Sequence, residues 1–194
     1  MAAILAMSPD EKAQTQNYAP ALRWLHWIMA ATIFAAIALA LLVVELPRGE
    51  LRSEILFVHK SFGMTALVLV AMRVFVRLAV GAPSYEPPLA PLTRFAARAA
   101  HALLYVLMIA MPVSGYVLST AGNSYAPWFG LFVFPSVLPR DKALAQAGGL
   151  AHWCLAWTIG AVLALHLAAV AWHRFVKRDD VLARMWPAKG RRQR

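Results

Sequence analysis

Residues 150–173 read LAHWCLAWTIGAVLALHLAAVAWH, and this stretch decides the fold. It is apolar enough to cross a bilayer, yet it carries His152 and His166. At ~3.6 residues per turn, a separation of fourteen residues falls about 40° short of four turns, so both imidazoles leave a helix on nearly one face. At ~1.5 Å per residue they differ in depth by about 21 Å. One helix therefore offers a nitrogen ligand near each side of a membrane.

The rest of the chain supplies three more such helices. The first span is expected over about Trp24–Val44, the second over Ile55–Leu78, the third over Arg98–Ser119 and the fourth from Leu150 to about Trp172. Glu45, Pro47, Arg48 and Gly49 end the first span, and Pro112 is expected to kink the third. Gly81, Pro83, Pro87, Pro88 and Pro91 make a stiff, extended linker between the second and third. Residues 1–18 form a tail, 19–187 one four-helix domain, and 188–194 a basic tail. The opening MAAILAM is too short for a signal-peptide core, and the first span is expected to be retained as an uncleaved anchor.

Composition agrees with an all-α integral membrane protein, a four-transmembrane-helix bundle. The chain has 194 residues, 61% of them hydrophobic and 14% charged. A soluble domain of this size could not hide that much apolar side chain. Cys154 is the single cysteine, which excludes an intramolecular disulfide, a multi-thiolate metal site and CxxCH-attached haem. The formal charge of +10 does not indicate nucleic acid, because the basic residues sit at span ends and in the tail, where they meet anionic lipid headgroups. With four crossings both termini share a side. Lys12, Arg23, Arg73, Arg77, Arg94, Arg98 and the C-terminal basic cluster fall on that side, against Arg48, Arg52, Lys60, Arg140 and Lys142 on the other. The positive-inside rule therefore puts both termini in the cytoplasm of a bacterial inner membrane.

Orientation sorts the histidines by depth. His26 opens the first span and His166 lies deep in the fourth, both toward the cytoplasm. His59 and His152 each open a span at the outer face. Depth alone pairs His26 with His166 and His59 with His152. Two histidines per site are too few for a closed zinc site, whereas haem brings four nitrogens and needs two axial ligands. Two axial imidazoles leave no open iron position, so the chemistry is one-electron transfer through two haems in a bundle core. His101 and His173 are alternatives to His26 and His166 as ligands, and otherwise hydrogen-bond a propionate or quinone or simply line the interface. Arg73 and Arg77 either pair with haem propionates or snorkel to headgroups. Lys60 could do the same outside. Gly63 and Gly160 either let a porphyrin approach or serve helix packing. The outer loop SYAPWFGLFVFP is too apolar for a solvated loop. It reads as an aromatic belt, or as a lid with a quinone or oxidant site at Tyr125, Trp128 and Phe129.

Several of these pieces together resemble a known family. RWLHW around His26, HKSFG around His59, RVFVRL followed by PSYEPP, HALLY with MPVSG, and His152 with His166 are similar to the bacterial four-helix cytochrome b561 family, from about Tyr18 to Pro187. The resemblance implies that His26, His59, His152 and His166 are the axial ligands of two b-type haems. It also implies electron transfer between ubiquinone or ubiquinol and a second one-electron partner, which in part of the family is superoxide. The alternatives are a haem-carrying anchor subunit that links a soluble dehydrogenase to the quinone pool, and a haem-free metal or proton transporter. Against the transporter, all nine acidic residues lie in loops, tails or span ends.

Overall fold

The structure, a computed structural model, describes residues 18–81 and 91–187. The N-terminal tail up to residue 17, the proline linker over 82–90 and the basic end over 188–194 lie outside the described residues. Among the described residues there are four long helices: α1 Pro20–Glu45, α2 Glu50–Val80, α3 Pro91–Ala121 and α4 Lys142–Trp172. All four are long and apolar enough to cross a membrane.

The helices run past the expected spans because polar residues at their ends also adopt helical backbone. Pro20 and Pro91 occupy first-turn positions, where a missing N–H costs nothing. Gly81, at φ 71°, ends α2, and its N–H returns to Arg77 O. Asp141 caps α4 by accepting from the Leu144 N–H at 2.8 Å. Past Trp172 the helix loosens into a π-turn, His173–Lys177, which stops at Arg178 with φ 54°. Helix α3 is continuous through Pro112.

The bundle is two helical hairpins set face to face. Helix α1 packs along α2 and α3 along α4, α2 touches α3 less extensively, and α1 and α4 have no comparable backbone contact. Buried side chains such as Leu22, Met64, Val70 and Leu107 are few, while Phe75, Leu78, Trp157 and Leu165 stand exposed. That inside-out distribution is what a lipid solvent permits.

The segment between α3 and α4 contains a short antiparallel ribbon, β1 Ala126–Trp128 and β2 Phe132–Phe134, which the hydropathy pattern does not announce. Phe129 and Gly130 at its turn both have positive φ, as a type I′ turn requires.

Candidate functional site

The structure brings two histidine pairs together across the seam between the hairpins. The ring centroids of His26 on α1 and His166 on α4 are 6.5 Å apart, and those of His59 on α2 and His152 on α4 are 6.3 Å apart. The first pair lies toward the end of the bundle where α1 begins and α4 ends, the second toward the ribbon. The register of α4 sets this arrangement, because residues 152 and 166 share a face.

The hydrogen bonds of the second pair orient its rings. His59 Nδ1 is 2.9 Å from the Ala36 carbonyl on α1. A carbonyl only accepts, so Nδ1 carries the proton and Nε2 presents a bare lone pair, as in metal-ligating histidines. His152 Nδ1 lies 3.1 Å from both Met111 O and Ser114 Oγ, and Ser114 Oγ itself donates to Met111 O at 2.7 Å. The ring of His152 fits against α3 only because residue 115 is glycine: a Cβ there would stand 2.9 Å from His152 Cε1.

A metal–imidazole bond is about 2.0–2.1 Å and a ring centre lies about 1.2 Å from its own nitrogen, so rings on opposite sides of one ion stand about 6.4 Å apart. Both pairs match that separation. His101 lies closer to His166, at 5.7 Å, shorter than a shared ion allows, and its Nδ1 bonds Ala97 O one turn back. His173 is taken up by Asp179, 2.6 Å away, and makes no ring contact with the other histidines. Among the described residues, no cluster of three or more His, Cys, Asp or Glu side chains converges as a metal site. The donor set therefore suits an ion that arrives with its other ligands, as the iron of haem does. Gly63 and Gly160 face open space, and nothing lies within 4 Å of a Cβ built at either.

The two arginines of α2 part company. Arg73 is 8% exposed; its Nε donates to Tyr105 OH on α3 at 3.1 Å and its Nη1 to Leu22 O on α1. Arg77 instead caps its own helix through Gly81 O, 3.2 Å away, and lies over the Tyr18 ring. Among the described residues, no carboxylate is within ion-pair distance of Arg73. Arg23 is in a related position. Its Nη1 donates to Trp186 O at 3.2 Å, and its buried Nε has no partner. Trp27, one turn on, donates from Nε1 to Met185 O at 2.9 Å and packs edge-on against both His26 and Trp186. The segment after α4 thus folds back onto the start of α1.

The ribbon docks on another face of α2. Lys60 Nζ donates to Ser124 Oγ at 2.9 Å and Tyr125 O at 3.3 Å, so it is engaged by the loop. Ser61 Oγ, fully buried, meets Phe57 O and Pro127 O and accepts from the Phe129 N–H at 3.0 Å. Trp128 Nε1 donates to Thr65 Oγ1 at 3.0 Å. Ser61 and Thr65 lie about 160° and 120° round the helix from His59. The ribbon therefore fills the groove between α2 and the end of α3, and Trp128 is anchored away from the face that carries His59. Tyr125, Phe129, Leu131 and Phe132 remain exposed, in keeping with an aromatic belt.

Sequence reasoning overlooked Gly115, Ser114, Tyr105 and Ala36. The first two are in the MPVSG motif, three and two residues from Pro112 along α3, and a small residue facing a ligand-bearing helix is their only sequence signal. Ala36 contributes only a backbone carbonyl, which no side-chain pattern reveals.

Comparison with known proteins places the chain in a family. The family model for prokaryotic cytochrome b561 matches residues 17–188. Cytochrome b561 homolog 2 of Escherichia coli (strain K12) is 34% identical over 161 residues, covering 82% of this chain and 86% of that protein. A protein of Yersinia pestis named probable superoxide oxidase CybB is 30% identical over 166 residues, covering 85% and 93%. Cytochrome b561 homolog 1 of Escherichia coli (strain K12) is 28% identical over 171 residues, covering 86% and 94%. Membrane electron transfer and b-type haem come with that family. By the extent of these matches, the chain belongs to the prokaryotic cytochrome b561 family.

Proposed function

We propose that this protein is a dihaem b-type cytochrome of the bacterial inner membrane, with both termini in the cytoplasm, that carries electrons between ubiquinone and a second one-electron partner. The observation that carries the reading is the pair of ring separations, 6.5 and 6.3 Å, each bridging the two hairpins and each suited to one iron. A b-type haem, when bound, supplies reversible one-electron oxidation and reduction of its iron. His26 and His166 would hold one and His59 and His152 the other. Ala36 and Met111 fix the orientation of the second pair through Nδ1. Arg73 places a positive charge near the first. The exposed apolar helix faces keep the sites in hydrocarbon and away from bulk water.

The relative named as a probable superoxide oxidase makes superoxide the partner to test first. Two superoxide ions would release one electron each and leave as oxygen, while one ubiquinone takes up two electrons and two protons to become ubiquinol. The deciding experiment is a reduced-minus-oxidised spectrum with a haem-to-protein ratio. A ratio of two supports the reading, and colourless protein defeats it. Superoxide consumption matched two-to-one by ubiquinol formation would identify the partner; haem reduction by quinol without it would direct the search to a redox protein.

A further inference from the structure

Arg23 and Arg73 lie near one level of the bundle, and among the described residues no acid pairs with either. Arg73 reaches from α2 across the seam to the carbonyl of Leu22, the residue next to Arg23. Arg23 lies three residues before His26, so it stands about 60° round α1 from that ring and about 4.5 Å nearer the helix start. Its Nη1 is fixed by Trp186 O, which leaves Nε pointing into protein without an acceptor. Asp179, in the segment that folds back over this end, is committed to His173. Buried cations and orphaned donors are unfavourable unless an anion completes them. The missing anion must be reachable from both α1 and α2 and lie within a turn of His26.

We propose that Arg23 and Arg73 are the two arms of a carboxylate clamp for the propionates of a haem held by His26 and His166, and that Arg77 is outside it. This rests on the dihaem reading above and deepens it. A haem carries its two carboxylates on one edge, so a flat ring gripped by His26 and His166 with that edge toward the start of α1 presents them to both arginines. The segment around Met185 and Trp186 then has a specific role: it holds Arg23 in place.

The test uses the full-length purified protein and a dye-mediated potentiometric titration. A nearby positive charge favours the reduced, less positive haem. Arg23→Gln and Arg73→Gln should therefore each lower the reduction equilibrium constant of the same haem about tenfold, which is 59 mV for one electron. That haem should be the one lost in His26→Ala, and the other should not move. Arg77→Gln should move neither. Because Arg73 also ties three helices together, Arg73→Lys provides a second measurement, and it should restore most of the lost potential. Apoprotein refilled with haem whose propionates are methyl esters supplies the remaining arm, where Arg23→Gln should shift the potential much less than in the native protein, since only the direct effect of the charge on the iron is left. An undiminished effect there would mean that the arginine serves another anion, such as a lipid phosphate, and the clamp would be wrong. Wild type with two haems and unmoved potentials in both glutamine variants would overturn the clamp alone. Wild type lacking haem at His26 and His166 would overturn the dihaem reading with it.

Discussion

Replacing Gly115 with alanine tests the closest contact in the site. The new carbon would lie 2.9 Å from His152 Cε1 and 3.2 Å from Nδ1. Carbon atoms rest about 3.5–4.0 Å apart, so the ring must retreat by roughly 0.6 Å or the helices must separate. Retreat stretches the contacts that Nδ1 makes at 3.1 Å with Met111 O and Ser114 Oγ toward the limit of hydrogen bonding. Overpacking of this kind costs about 1–3 kcal/mol. If that cost falls on the ligand-competent position of the ring, affinity for the bound group drops about 5- to 150-fold, at 1.4 kcal/mol per factor of ten. The assay is a haem-to-protein ratio measured after extensive washing, with a reduced-minus-oxidised spectrum. Gly115→Ala should fall from two haems toward one, and the surviving spectrum should match that of His59→Ala. A variant that keeps two haems with unchanged spectra and potentials would refute the reasoning. So would selective loss of the haem that depends on His26.

Three further outcomes follow from the same geometry. His59→Ala and His152→Ala should remove one spectral component and His26→Ala and His166→Ala the other, in difference spectra of isolated membranes; loss of both components from any single change would contradict the pairing. Ser61→Ala leaves the Phe129 N–H without its acceptor and releases Pro127, so the ribbon should loosen at a cost of about 1–3 kcal/mol; faster amide exchange over 124–134 with both haems retained is the expected signature, and unchanged exchange would count against the docking role. A green fluorescent reporter at either terminus should fluoresce and a periplasm-dependent phosphatase there should be silent; the opposite pattern would reverse the orientation.

Much of this was legible because a bilayer imposes coarse rules. Four apolar runs had to be helices, and fourteen residues between His152 and His166 had to place both on one face. Depth followed from where along its span each histidine lies, so the pairing needed no knowledge of packing. Helix ends were less legible: Glu50 and Lys142 extend their helices beyond the apolar runs, since backbone hydrogen bonding continues after hydropathy has fallen. Arg73 and Arg77 looked equivalent at one turn apart, but packing buries one among three helices and leaves the other to cap its own. The ribbon was hidden because its strands are three residues long and Phe129 adopts a positive φ that a bulky side chain disfavours. The acceptor role of Met111 was invisible for a simpler reason, since any residue type brings a carbonyl.

The division into two hairpins bears on how the molecule is loaded. Each hairpin contributes one imidazole to each pair, so neither half of the polypeptide owns a complete site. On the dihaem reading, the first haem bound would fasten the two halves to each other. The second would then enter a scaffold already held in register, so uptake would be cooperative without any contact between the two cofactors. A mixture of empty and doubly filled molecules, with few holding a single haem, is the population this predicts when supply is limiting.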